Sequence, residues 1–204
     1  MNPLTPLKNT LKITGALAED VPAFLIQHGH PKTAKHCGDV AQKSRELAIR
    51  FGADAEQAEI AGWLHDVSAV FPSAERTIIA RQLNVPVLPE EDTFPMIIHQ
   101  KLSVVIAREL FDVTHSATLS AIGCHTTLKK DASLLDKVVF VADKIAWDQV
   151  GNPPYIDELL PALDKSIDHA CFVYLDYIWQ MREQLRVLHP WTAEAHAELK
   201  QKIG

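Results

Sequence analysis

Six histidine and aspartate side chains are the residues of this sequence best suited to chemistry, and they recur in the order H…HD…H…H…D. They are His36, His65, Asp66, His99, His125 and Asp143. Imidazole and carboxylate together suit Zn²⁺, Mn²⁺ or Fe²⁺, and helical bundles build metal sites from side chains on facing helices. Each residue taken alone is more often a hydrogen-bonded core side chain or a helix cap, so the metal prediction depends on the ordered set.

The strongest local feature is residues 60–66, an apolar run that ends in adjacent His65 and Asp66. Burying a carboxylate without a partner is costly. Asp143 repeats the pattern inside the apolar run 138–144. Both carboxylates are therefore predicted to be paired or metal-bound.

Helical periodicity, caps and helix-ending residues predict an almost entirely helical chain. Asp20, Ser73, Thr114 and Asp131 are expected to cap helices, and Pro95 to open one. The predicted helices are 21–28, 31–52, 55–66, 73–84, 95–110, 115–124, 131–145, 156–188 and 192–202. A loop is predicted at 85–94, a helix stop at 151–154, and the end of a helix at Pro190. We expect one domain over 1–204, with a core at 20–150 and a helical C-terminal extension at 151–204.

The composition excludes several classes of protein. The chain has 204 residues, of which 47% are hydrophobic and 23% charged, as in ordinary globular proteins. Its 20 Lys and Arg against 26 Asp and Glu give a net charge of -6, which argues against nucleic-acid binding. Three cysteines are too few for a disulfide framework, and neither a secretory signal nor a membrane-spanning run is present. These features predict a cytoplasmic protein with no membrane partner.

The ordered set resembles the HD-domain metal-dependent phosphohydrolases, and most closely the branch of YqeK-type symmetrical bis(5'-nucleosyl)-tetraphosphatases. The six residues from His36 (HCGDVA) and the sixteen from Phe51 to Asp66 resemble its first two motifs. Two further segments are more specific: AIGCHTT at 121–127 and LLDKVVFVADKI at 134–145. The resemblance covers about residues 20–150.

This resemblance implies an all-α HD-type helical bundle with additional C-terminal helices. It implies a hydrolase acting on a nucleotide, with diadenosine tetraphosphate cut symmetrically to ADP as the leading substrate. The expected metal ligands are His36, His65, Asp66 and Asp143. The expected metal is a divalent transition ion, iron in the closest family, with manganese or another divalent ion as alternatives.

The resemblance leaves two roles open for His99 and His125. They would either bind a second metal ion or contact substrate phosphate, and together with Asp66 they form the expected catalytic set. The hydroxyl groups of Thr126 and Thr127 would donate hydrogen bonds to substrate phosphate, although one of them could simply cap the turn after His125. Trp147 lies one helical turn past Asp143 and could line the pocket.

At four positions the chain departs from that branch. Thr33, Ala69 and Gln149 stand where it usually has Arg, Lys and Arg, and Ala146 stands where it has Glu. Three positive charges that could face phosphate are therefore absent. Lysines that could replace them are Lys32, Lys35, Lys101, Lys129, Lys130 and Lys144, each of which is more often a solvated surface residue.

These departures keep two alternatives open. One is a phosphatase or phosphodiesterase for another nucleotide, and the other is a nucleotide-binding sensor domain with little turnover. The expected partner is a small-molecule nucleotide, and a homodimer is compatible with the sequence.

Overall fold

The protein is an all-α helical bundle, as predicted. The computed structural model describes residues 2–204, and within them it contains twelve α-helices, three short 3-10 turns and no β-strand. The helices are α1 (Thr5–Thr10), α2 (Leu17–Gln27), α3 (Pro31–Phe51), α4 (Ala55–Leu64), α5 (Arg76–Gln82), α6 (Pro89–Thr93), α7 (His99–Leu110), α8 (Ser116–Cys124), α9 (Leu134–Ile145), α10 (Ile156–Lys165), α11 (Ile167–Gln180) and α12 (Pro190–Ile203).

The centre of the bundle is formed by α3, α4 and α9, with α7 and α8 packed beside them. Apolar residues at helical spacing along α3 are buried, as their pattern predicts. Gly52 ends this helix in the left-handed region at φ 78°, which costs glycine nothing. The long α3 and the apolar α9 thus provide a rigid frame for the residues of the proposed site.

A single glycine allows α3 and α4 to approach closely. A Cβ atom added at Gly62 would lie 2.5 Å from the Cα of Ala41, far inside van der Waals contact. This close crossing brings the end of α4, where His65 lies, up against α3. The glycine is therefore part of what positions the proposed metal ligands.

Several predicted caps are wrong. Asp20 lies inside α2, because its carboxylate accepts hydrogen bonds from the backbone of Thr14 and Gly15 in the turn before that helix. The helix α9 is capped by Ser133, which exchanges reciprocal hydrogen bonds with Asp136, rather than by Asp131. In α9 a nearby side chain thus satisfies the free backbone N–H groups in place of the predicted one, whereas α2 begins earlier than predicted, after Ala16, and has no side-chain cap.

The segment before α7 is also more ordered than predicted. The loop predicted at 85–94 contains the short helix α6, which begins at Pro89 and is closed by Glu91 accepting from the Leu88 N–H. Helix α7 begins at His99 instead of Pro95, since residues 95–98 form turns. Helix α8 is preceded by His115 at its N-cap instead of Thr114.

The C-terminal part differs from the prediction in its helix boundaries. The stretch 156–188 is two helices separated at Ser166, whose hydroxyl caps α11, while Pro161 is accommodated inside α10. Pro190 begins α12 instead of only ending the preceding helix, as the fixed φ of proline allows at a first helical position. The prediction also omitted α1. Within residues 2–204 no helix has both the length and the apolar character needed to cross a membrane.

Candidate metal centre

All six predicted residues meet in one cluster at the ends of five helices. The cluster comprises His36 of α3, His65 and Asp66 at the end of α4, His99 of α7, His125 at the end of α8 and Asp143 of α9. Residues as far apart in the chain as His36 and Asp143 are in direct contact here. The sequence order H…HD…H…H…D is thus the order in which five helices reach one point.

One half of the cluster is formed by His36, His65 and Asp143. The Nε2 atom of His36 lies 3.2 Å from Nε2 of His65 and 3.1 Å from Oδ1 of Asp143. The Nε2 atom of His65 lies 3.5 Å from the same Asp143 oxygen and 3.7 Å from Oδ2 of Asp66. Three side chains therefore direct ligand atoms at one small volume, with Asp66 at its edge.

The other half of the cluster is formed by His99 and His125. Their Nε2 atoms are 3.0 Å apart. The Oδ1 atom of Asp66 lies 3.1 Å from Nε2 of His99 and 3.5 Å from Nε2 of His125. Since Oδ2 of Asp66 faces His65, the two oxygens of this one carboxylate serve the two halves of the cluster.

Backbone hydrogen bonds fix the protonation of three of the histidines. In His65, His99 and His125 the Nδ1 atom lies within hydrogen-bond distance of the carbonyl oxygen three residues earlier, at 2.7, 2.5 and 2.8 Å. A carbonyl can only accept, so each Nδ1 carries a proton, and in the neutral ring Nε2 then presents a lone pair. When the rings are neutral, the cluster therefore directs Nε2 lone pairs at one another and at carboxylates.

The pKa values of the cluster follow from burial and from these neighbours. Burial acts most strongly on Asp66 and would raise its pKa, but His65 and His99 hold that pKa well below its usual range. Burial is the main cause that lowers the pKa of His125 to about 4; Asp66 opposes this shift, and the neighbouring His65 and His99 add to it. At neutral pH, Asp66 is therefore an anion and His125 a neutral ligand.

The arrangement fits a divalent metal ion. Two groups of side chains have ligand atoms close enough together to hold one: His36, His65 and Asp66, and separately Asp66, His99 and His125. Converging lone pairs and anions in a buried volume repel one another unless a cation lies between them. The Nδ1–H···O=C bonds of three histidines are the orienting contacts found behind metal-bound imidazoles.

The cluster forms the floor of a cleft of about 350 Å³. Thr126 lines this cleft, and its hydroxyl oxygen is 3.1 Å from Nε2 of both His99 and His125. Thr127 differs, because its hydroxyl is buried and accepts a hydrogen bond from Gln100. Of the two threonines predicted to meet substrate, the geometry favours Thr126.

Of the six lysines considered from the sequence, Lys144 lies in the site. Its Nζ is buried, 2.6 Å from Oδ2 of Asp143, and donates to the carbonyl of His125. Burial would lower its pKa, but Asp143 raises it, so the amine stays charged. Lys101 and Lys129 line a different pocket.

Aromatic residues from the C-terminal helices complete the cleft. Trp147 lines it as anticipated, and Tyr155 and Tyr174 join it from beyond the predicted core. The Tyr155 hydroxyl donates to the carbonyl of Lys144. No sequence motif marks these two tyrosines, and only Tyr174, which lies within α11, has a helical spacing that could have suggested inward packing.

Comparisons with known proteins agree with this geometry. The model of the HD domain matches residues 33–148. A Lactococcus lactis subsp. cremoris protein described as "Uncharacterized protein in pepC 5'region" is 44% identical over 148 residues, which is 72% of this chain and 75% of that one. A Bacillus subtilis protein named "Bis(5'-nucleosyl)-tetraphosphatase, symmetrical" is 32% identical over 136 residues, 66% of this chain and 71% of that one.

A solved structure shows the same fold. A Clostridium acetobutylicum protein described as a "predicted HD superfamily hydrolase involved in NAD metabolism" superposes with a TM-score of 0.81 at 25% identity, over 89% of this chain and 96% of that one. The fold and site define a helical metal-dependent hydrolase. The chain belongs to the HD-domain family, and it is an HD-domain phosphohydrolase similar to the symmetrical bis(5'-nucleosyl)-tetraphosphatases.

Proposed function

We propose that the protein hydrolyses dinucleoside tetraphosphates symmetrically, with diadenosine tetraphosphate as substrate and ADP as product. The observation that carries this proposal is the bridging position of Asp66 between two groups of imidazole ligands. Two metal ions in such an arrangement suit phosphoanhydride hydrolysis. The similarity to the Bacillus subtilis symmetrical tetraphosphatase supports the choice of substrate.

In this proposal the six residues divide into two ligand sets that share one member. His36, His65, Asp66 and Asp143 would hold the first ion. His99 and His125 would hold the second ion together with Asp66. Ions bound there supply a water of lowered pKa and neutralise charge on phosphate oxygens. We propose iron as the metal, with manganese as a substitute of similar ligand preference.

The chain itself contributes orientation and charge to the reaction. A water oxygen bonds to a phosphorus beside the central bridging oxygen of the tetraphosphate, the bond from that phosphorus to the bridging oxygen breaks, and two nucleoside diphosphates leave. The Thr126 hydroxyl is placed to donate to a non-bridging phosphate oxygen. The buried Lys144 ammonium adds positive charge next to Asp143, and the aromatic wall limits access of bulk water.

The product mixture tests this proposal directly. The protein is reconstituted anaerobically with Fe²⁺ or Mn²⁺, given diadenosine tetraphosphate, and its products are identified by mass. ADP alone is expected. AMP together with ATP would establish asymmetrical cleavage and contradict the proposed reaction, as would the absence of product from protein with both metal sites filled.

A second candidate is hydrolysis of a different nucleotide by the same centre. The observation that favours it is the loss of positive charge at Thr33, Ala69 and Gln149, of which Gln149 lines the cleft. A panel of nucleoside mono-, di- and triphosphates, dinucleotides and cyclic nucleotides under the same conditions separates the two. Faster turnover of any other member than of diadenosine tetraphosphate would favour this candidate.

A further inference from the structure

A second, smaller space, here called the side chamber, lies beside the cleft above the metal centre. The side chamber has a volume of about 150 Å³ and shares three wall residues with the cleft: Met96, Thr126 and Tyr174. The two spaces are therefore adjacent, close enough for one ligand to have a group in each. Its size suits one ring system better than a whole nucleotide.

The walls of the side chamber are mostly apolar and come from two distant parts of the chain. Phe94 and Ile97 contribute from the segment before α7, and Ile178 from α11. Leu185 and Leu188 belong to the segment that joins α11 to α12. Such a lining suits a flat aromatic ring, which gains by burial and by stacking.

Hydrogen bonds at the start of α12 fix the position of this wall relative to the metal centre. The Thr192 hydroxyl of α12 donates to the carbonyl oxygen of Thr127 at 3.0 Å, next to the cleft residue Thr126. His189 is buried, with 3% of its surface exposed, and accepts a hydrogen bond from the Trp191 N–H at the start of α12. The C-terminal helices therefore fix one side of the side chamber relative to the site.

Arg186 gives the side chamber a positive charge. Its guanidinium carbon lies 5.2 Å from the centroid of the Phe94 ring, and its side chain is exposed at the wall of the side chamber. Within residues 2–204 it forms no ion pair or side-chain hydrogen bond. Lys144, the other cation around the two spaces, is already bound to Asp143 and to the His125 carbonyl.

We propose that the side chamber binds the base of a nucleoside diphosphate group while Arg186 binds its phosphates. This inference rests on the proposed function, because it supplies a cation for the phosphates where Thr33, Ala69 and Gln149 supply none. The planar guanidinium can donate two parallel hydrogen bonds to a phosphate, and its stacking on Phe94 holds it in orientation. The extension at 151–204 thereby acquires a role in choosing the substrate.

Binding of ADP and of inorganic pyrophosphate to the manganese-loaded protein, measured by calorimetry, tests the role of Arg186. Arg186→Ala should weaken both ligands about tenfold, the loss expected for one charge-assisted contact. Arg186→Lys should recover part of this loss. The matched control is Arg182→Ala, because Arg182 packs on Trp179 outside the side chamber and its loss should change neither ligand by more than twofold.

Filling the side chamber tests the place of the base. Ile178→Trp should weaken ADP at least tenfold and leave pyrophosphate unchanged, because pyrophosphate has no ring to displace. Leu185→Trp fills the same space from the opposite wall and replaces the first variant if that one does not fold. Melting temperature and helical content identify variants that have lost their structure.

The outcomes separate this inference from the proposed function. No ADP binding by the wild type, or unchanged ADP binding in Arg186→Ala and in the folded tryptophan variants, would overturn the inference even if diadenosine tetraphosphate is hydrolysed. The expected losses of ADP binding in a protein that does not cleave diadenosine tetraphosphate would uphold the side chamber and reject the proposed function.

Discussion

Two polar clusters of this protein use the same helix in opposite ways. At one end of α9, Asp143 faces histidine lone pairs and a second carboxylate, so the cluster has many acceptors and an excess of negative charge. Earlier on the same helix, Lys137 lies 2.8 Å from Asp168, which also pairs with Lys202 at 2.7 Å. These last three residues are called here the ion-pair cluster.

The difference indicates what each cluster is for. In the ion-pair cluster each charged group has a partner of opposite charge within the chain, and the pairs connect α9, α11 and α12. In the metal cluster the chain supplies ligands without the cation that would complete them. Among residues 2–204, Lys144 is the one cation that contacts this cluster, and a buried group with more acceptors than donors indicates a ligand from outside. Substitutions in the two clusters test this difference. Those in the metal cluster should change metal content and turnover, and those in the ion-pair cluster should change the free energy of unfolding.

Asp66→Ala should have the largest effect, because the carboxylate that serves both halves of the metal cluster is removed. We expect loss of both ions and a fall in turnover of a thousandfold or more, on the scale of removing a catalytic metal's essential ligand. Metal content and kcat for diadenosine tetraphosphate are the measurements. Full activity in this variant would reject the assignment of Asp66.

His125→Ala should lower kcat by roughly a hundredfold while changing the free energy of unfolding by only about 1 kcal/mol. The reason is that one imidazole ligand is lost from a cluster that gives little net stability without its cation. The matched control is His196→Ala, which removes a buried histidine paired with Asp176 at 2.9 Å, far from the cleft lining. Unchanged kinetics in His125→Ala would make this histidine a packing residue.

Lys137→Met should show the reverse behaviour. Removing one cation from the ion-pair cluster leaves Asp168 with Lys202 alone, so we expect a loss of about 2 kcal/mol in the free energy of unfolding. Metal content and kcat should stay at the wild-type values. Denaturant unfolding beside a metal assay measures both, and a loss of bound metal would mean that the two clusters of α9 are coupled.

The acid dependence of stability should show the smallest effect. Burial would raise the pKa of Asp168, but Lys137 and Lys202 lower it below the ordinary value. A lowered folded pKa gives stability that is complete above the unfolded value of about 4 and is lost as the pH falls through the folded value. Wild type should therefore exceed Asp168→Asn in stability at pH 7, and the gap should close in acid; a gap that persists at pH 2 would contradict this.

The sequence predicted the metal cluster better than the helix ends. His65 and Asp66 stand out in the sequence because a polar pair at the end of an apolar helix needs polar partners. In the structure Asp66 lies close to both His65 and His99. Asp20 and Asp131 both resemble N-cap residues in the sequence. Capping, however, depends on where the helix begins and on which residue lies next to its free N–H groups. Local backbone geometry decides which residue caps the helix, and the spacing of residues in the sequence does not reveal that geometry.

The cleft walls were less predictable than its floor. Tyr174 reaches the site because α11 packs against α9, and Tyr155 lies at the start of α10, which packs on α11; no local pattern records that long-range packing. Thr127 resembles its neighbour Thr126 in sequence, but the hydrogen bond with Gln100 turns its hydroxyl into the interior. The chemistry of a residue type is readable from the sequence, whereas its orientation is fixed by tertiary contacts.

The most direct test of the central claim is the number of metal ions held by each chain. Protein reconstituted anaerobically with iron and freed of excess metal should contain two ions per chain, and His99→Ala should contain one, since that variant leaves the set of His36, His65, Asp66 and Asp143 intact. A wild type that retains one ion or none would contradict the claim that Asp66 joins two metal sites.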